Sequence, residues 1–245
     1  MSHGARLATR AAPHDRGAAT TGRFARRLKI LCLHSFRTSG DVFRAQMAMA
    51  GWRTAYDETC EFVCVDAPAR ASGTVPADVV AFFGESEERF EWWNATRVDG
   101  CDNPSYVGLE ASLRAVEEAC ARDGPFDGIL GFSQGATLAA IALATPATAR
   151  RFAFGILISG MKSRAMETET LDYGAVTVPT LHVIGTNDRL VPVRMSEGLF
   201  DAMTASARTR ATHPGGHVVP KGNDAGEPIL EEFLAAQRQR IASLL

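Results

Sequence analysis

The chain has 245 residues, 46% of them hydrophobic and 22% charged, ordinary proportions for a folded globular protein and enough for one α/β domain. Its formal net charge of −2 excludes the basic footprint of a nucleic-acid binder. No run approaches the roughly 18 uninterrupted apolar residues that a bilayer span needs, so a soluble chain is expected.

Residues 1–27 are rich in Ala, Thr, Gly and Arg, and Asp15 is their one acidic residue. They have no hydrophobic stretch of the secretory kind. The composition suits a basic disordered tail or an organelle transit segment on an otherwise cytoplasmic protein, preceding a domain over 28–245.

The apolar run 28–34 (LKILCLH) predicts a first strand, ended by the polar turn 35–40. Helical spacing of Val42, Phe43, Met47 and Ala50 predicts a helix over 41–52, and 61–65 (EFVCV) a second strand. Residues 69–103 read as a long irregular connection, a length that often marks a functional loop. A helix is expected over 104–122, a strand over 127–132, a small-residue helix over 134–144, and strands over 152–159 and 178–185. A helix over 193–205, a strand over 208–213 and a last helix over 227–244 complete the pattern. Strands alternating with helices, and too apolar to show period-two alternation, predict an α/β fold with a mainly parallel sheet flanked by helices on both faces. Ligands of such sheets bind beyond the carboxyl ends of the strands. The five cysteines are odd in number and form no CxxC pair, so they read as reduced intracellular thiols, with Cys32 and Cys64 in buried strands; no metal site is expected.

Gly131-Phe132-Ser133-Gln134-Gly135 is a GxSxG sequence that leaves a strand and opens a helix. Small flanking residues let strand and helix approach closely, so a serine on the sharp turn projects clear of the sheet. Ser133 is the candidate nucleophile, and it needs a base. Of the six histidines, His3 and His14 lie in the tail, His34 precedes the serine and His182 falls within a strand. His213 closes the last strand, whereas His217 follows two glycines on a loop able to turn its ring to the serine. The Ser–acid–His order of this fold favours His217. Asp188, just after the 178–185 strand, is the candidate acid that orients the base, with an ordinary turn or N-cap aspartate as the alternative. Asp172 and Asp201 are weaker competitors. Two donors are required for a tetrahedral oxyanion: the backbone N–H of Gln134, and one from the turn after the first strand, for which Phe36 is the candidate. Trp92 and Trp93, with Phe82, Phe83 and Phe90, read equally as an apolar wall for an acyl chain or as packing under a loop.

Six segments together resemble the FSH-type family of serine hydrolases within the α/β-hydrolase superfamily: LHSF at 33–36, VDAP at 65–68, WW at 92–93, GFSQGA at 131–136, GTNDRLVP at 185–192 and HPGGHVVP at 213–220. The resemblance implies an α/β-hydrolase fold, a Ser133–Asp188–His217 triad, no cofactor, and action on small carboxylic esters or thioesters of acyl chains. Ser35 stands where many relatives have glycine. An acyl-protein-thioesterase-like enzyme shares GFSQG, and a non-catalytic binding protein of this fold is the alternative outside enzymes.

Overall fold

The computed structural model describes residues 26–244 apart from residues 76, 85–87, 205 and 222–226. Strand β1 (Leu28–Leu33) leads to helix α1 (Gly40–Met49), the short helix α2 (Trp52–Tyr56) and strand β2 (Cys60–Val65). The excursion that follows contains β3 (Ala69–Arg70), α3 (Ala77–Phe83), β4 (Phe90–Glu91), β5 (Asn94–Thr96) and β6 (Ser105–Val107). Then come α4 (Leu109–Asp123), β7 (Gly128–Phe132), α5 (Gln134–Ala144), α6 (Pro146–Ala149), β8 (Phe154–Ile158), β9 (Thr180–Gly185), α7 (Val193–Ala202), β10 (Arg208–His213) and α8 (Glu227–Ala242).

Six strands form one sheet in the order β10-β9-β8-β7-β1-β2, every neighbouring pair parallel. Successive residues of a strand point to opposite faces, which divides the core in two. Leu31, Leu33, Ile129 and Leu157 pack with α4 and α5, while Ile30, Cys32, Leu130, Phe132 and Ile156 pack with α1 and α8. The chain is therefore the expected parallel sheet covered on both faces.

Four expectations need correction. The helix expected over 41–52 breaks at Gly51, whose φ of 85° is a left-handed conformation that glycine adopts without strain, and restarts as α2. The connection over 69–103 is not irregular: β3 pairs antiparallel with β4, and β5 with β6. That pairing takes Ser105–Val107 out of the expected helix, which begins at Leu109 instead. Finally, β2 lies at the sheet edge, so Cys64 is only half-buried, whereas Cys32 on β1 is fully enclosed.

Residues 1–25 of the expected tail lie outside the described residues. Its last two residues touch the domain: Arg26 donates two hydrogen bonds of 2.6 Å to the Asp127 carboxylate, and Arg27 Nε donates to the Cys60 carbonyl at 3.0 Å.

Candidate active site

The carboxyl end of β7 delivers Phe132 into the turn at Ser133, whose φ of 56° and ψ of −113° are rare for a side chain with a Cβ. Two hydrogen bonds hold it there: Ser133 N–H donates to the Ile158 carbonyl at 2.8 Å, and the Ser133 carbonyl accepts from Thr137 N–H at 3.0 Å. A Cβ on Gly131 would stand 2.2 Å from the Gly135 carbonyl oxygen, and one on Gly135 would stand 2.2 Å from that of Leu33. The two glycines thus permit the close approach that sets the serine on its sharp turn. Ser133 itself remains partly open to solvent.

Asp188 follows β9 and is buried. Its Oδ1 accepts from the backbone N–H groups of Leu190 and Val191, both at 2.9 Å, and its Oδ2 accepts from His217 Nδ1 at 2.8 Å. It is at once a turn aspartate and a hydrogen-bond partner of His217, so the turn contacts do not exclude the histidine contact. Burial alone raises its pKa, but the bonds from His217 and Val191 outweigh that and leave it below the ordinary carboxylate value. The buried Ser159 hydroxyl, on a residue with φ of 49°, adds to this lowering from beside the carboxylate, although its placement falls short of direct hydrogen-bond geometry.

His217 is brought to Asp188 by stitching between two loops. Thr186 N–H donates to the His213 carbonyl at 2.9 Å, Asn187 N–H to that of Gly215 at 3.1 Å, and Asn187 Nδ2 to that of Pro214 at 2.7 Å. Beyond the loop, Trp52 Nε1 anchors the Pro220 carbonyl at 2.9 Å. A Cβ on Gly185 would meet the Gly216 carbonyl oxygen at 2.4 Å, so glycine is required where the loops cross. The imidazole lies against the ring of Phe132, with centroids 4.9 Å apart, beside the serine turn. With Nδ1 donating to an ionised carboxylate, the neutral ring carries its lone pair on Nε2.

The other histidines among the described residues have other surroundings. His213 is buried at the end of β10, and His182 is buried within β9 against Phe200. His34 donates from Nδ1 to the Ser35 carbonyl at 2.8 Å and accepts on Nε2 from Ala67 N–H at 3.0 Å. Burial pushes its pKa down to about 4, so it stays neutral and ties the turn after β1 to the loop after β2. Asp172 caps a short 3₁₀ turn and Asp201 lies beside Arg208, so neither joins His217.

Ser35 turns its hydroxyl to Thr38 at 3.3 Å. The adjacent Phe36 N–H has no acceptor among the described residues. Gln134 opens α5, so its N–H is one of the donors that a helix leaves unpaired. Of the two readings of the tryptophans, acyl wall or packing, their burial corrects the first and favours the second. Trp92 is 0% exposed, donates from Nε1 to the His34 carbonyl at 2.9 Å and packs at a tilt of 31° against the His34 ring, while buried Trp93 stacks on Tyr106. Both rings are core packing, with no face left for a ligand. Sequence reasoning missed Ser159, beside the Asp188 carboxylate, and Gly185, where the two loops cross. A glycine at a strand end was the one usable signal, because nothing local announces the positive φ of Ser159.

The fold and the serine turn define an α/β hydrolase. A family model described as Serine hydrolase (FSH1) matches residues 24–229, and the chain belongs to that family. It is 34% identical over 209 residues to Esterase OVCA2 of Danio rerio, covering 79% of this chain and 90% of that protein. In structure it resembles a carboxylesterase from Mesorhizobium loti (TM-score 0.56, 18% identity, 85% and 88% of the two chains). It also resembles Zea mays acyl-protein thioesterase 2 (TM-score 0.56, 18% identity, 90% and 97%). At those identities the structural likeness speaks for the fold. No helix among the described residues is long and apolar enough to cross a membrane.

Proposed function

We propose that the protein hydrolyses small carboxylic esters or thioesters of acyl chains through an acyl-serine intermediate, with Ser133 as nucleophile, His217 as base and Asp188 as the acid that orients it. The observation that carries this reading is the Asp188–His217 hydrogen bond of 2.8 Å, placed against Phe132 beside the strained Ser133 turn. His217 Nε2 takes the Ser133 proton as Oγ attacks the carbonyl carbon, and the N–H groups of Gln134 and Phe36 receive the negative charge on the carbonyl oxygen. The imidazolium, stabilised by ionised Asp188, then protonates the leaving alkoxide or thiolate. Water, activated by the same ring, attacks the acyl-serine and releases the acid. No cofactor takes part. The esterase names of the relatives support ester cleavage, and the choice of leaving group is decided by a paired panel of esters and thioesters over acyl-chain length.

The test is turnover by purified, folded variants together with labelling by a fluorophosphonate. Ser133→Ala is expected to lose labelling and turnover, and His217→Ala to lose about 10³-fold or more in turnover. Asp188→Asn should retain more than His217→Ala, and His213→Ala should keep most of its turnover when folded. A His217→Ala enzyme of nearly normal rate beside a dead His213→Ala would reassign the base.

A further inference from the structure

We propose that residues 90–94 form a strap that sets both halves of the oxyanion hole, with Glu91 as a positioning residue acting through Arg37 and the Gln134 side chain as its counterpart. The inference rests on the reading of Phe36 and Gln134 as oxyanion donors. These donors come from segments about a hundred residues apart in sequence, and both segments are fastened to the same short stretch. On one side, Phe90 N–H donates to the Thr38 carbonyl at 2.7 Å, two residues beyond Phe36. On the other, the Gln134 side chain accepts from Trp92 N–H at 3.1 Å and donates to the Trp93 carbonyl at 2.9 Å. Between them, Trp92 Nε1 holds the His34 carbonyl and Ser112 Oγ donates to the Trp92 carbonyl.

Arg37 is the residue that demands explanation. Its φ of 54° is a left-handed conformation unfavourable to a residue with a side chain, so something outside the turn must hold it there. Its guanidinium supplies the hold. Nε donates to Glu91 Oε2 at 2.9 Å, one terminal nitrogen donates to the Thr74 carbonyl at 2.8 Å, and the other reaches Asn94 Oδ1 at 3.3 Å. The Glu91 side chain is 2% exposed, and its second oxygen accepts from Ser72 N–H at 3.3 Å, Ser72 Oγ at 3.1 Å and the Asn94 amide. A buried ion pair is poor evidence of stability, because desolvation opposes the attraction. Its value is one allowed geometry: the fork of Arg37 has a single seat, and the neighbouring Phe36 N–H takes its direction from that seat. Oxyanion donors act only when preorganised at hydrogen-bond distance from the developing charge, so a turn free to relax loses transition-state stabilisation before it loses substrate binding.

The test compares wild type with Glu91→Gln, which removes the charge at nearly constant shape, and with Gln134→Met, which keeps the backbone donor but removes both strap bonds. Ser133→Ala is the reference. Measured are kcat and KM on a short-chain p-nitrophenyl ester, inhibition by a trifluoromethyl ketone whose serine adduct bears the oxyanion, and the circular dichroism of each variant. In both strap variants kcat is expected to fall about 10- to 100-fold with KM within about threefold, and ketone affinity to fall in parallel. A folded Glu91→Gln with kcat within about twofold of wild type, or with raised KM and intact kcat, would overturn the proposal. If Glu91→Gln does not fold, the same criteria applied to Gln134→Met decide it. Ser133→Ala separates the two readings. Wild-type turnover there removes the nucleophile assignment and the strap with it, whereas a dead Ser133→Ala beside normal strap variants removes the strap alone.

Discussion

Gly135→Ala tests the geometry of the serine turn most directly. The added Cβ would lie 2.2 Å from the Leu33 carbonyl oxygen and 2.5 Å from that of His34, where real Cβ atoms essentially never come within 3.0 Å. Neither neighbour can swing aside as a side chain would. Leu33 is paired on one side to Val65 and on the other to Gly131, so its carbonyl is fixed in the middle of the sheet. The start of α5 must lift instead, against a helix whose residues from Gly135 to Leu143 are all buried. Overpacking of this kind costs about 1–3 kcal/mol, and the backbone contact places it at the upper end, above the roughly 1 kcal/mol that alanine gains over glycine inside a helix. A net loss of about 2 kcal/mol lowers Tm by roughly 4–8 °C for a chain of this size. The lift, on the order of 1 Å, also displaces Gln134 N–H and Ser133 Oγ, enough to lower kcat by up to about a hundredfold. The assay is thermal melting with ester turnover below the transition. Gly198→Ala serves as its control: that glycine lies in α7 with nothing within 4 Å of an added Cβ, so alanine there should stabilise by about 0.5–1 kcal/mol. A Gly135→Ala enzyme melting with wild type and turning over at wild-type rate would refute the close approach.

Ser133→Gly should melt above wild type by a few degrees while losing turnover, because glycine relieves about 1–3 kcal/mol of backbone strain at φ of 56°; a lower Tm would mean that the turn is unstrained. His34 and His182, each lowered to about 4 by burial, bind fewer protons folded than unfolded between pH 6.5 and 4. Stability attributable to them is therefore complete above pH 6.5 and lost as pH falls toward 4, on the order of 3 kcal/mol each at most. Ring NMR signals of either residue titrating near pH 6.5 in the folded protein would contradict this. Removing residues 1–25 is expected to leave turnover and Tm unchanged, whereas removing 1–27 also deletes the Arg26–Asp127 pair and should lower Tm slightly, since Arg26 is half exposed. Melting curves of the two truncations distinguish the cases.

The residues proposed for catalysis were legible without coordinates because each sits at a strand end, where short patterns carry mechanical meaning. Gly-x-Ser-x-Gly after an apolar run states that strand and helix must nearly touch. An aspartate just past a strand and a histidine after two glycines follow in the chain order of the fold. The β10 bounds of Arg208–His213 coincide with those expected, since a short strand between turns leaves little latitude. What local pattern could not supply was anything that depends on which segments meet. The two tryptophans look alike in sequence whether they line a pocket or fill a core, and only packing against His34 and Tyr106 assigns them to the core. Cys32 and Cys64 sit in similar apolar runs, yet one strand is central and the other is an edge, so their burial differs. Arg37 and Glu91 are 54 residues apart, and nothing near either one announces a buried pair. Sequence periodicity reports forces within a few residues, which select strands, turns and the serine proposed as nucleophile. Burial, strain and the partner of a buried charge arise between segments distant along the chain, and these were decided only when the sheet and its loops came together.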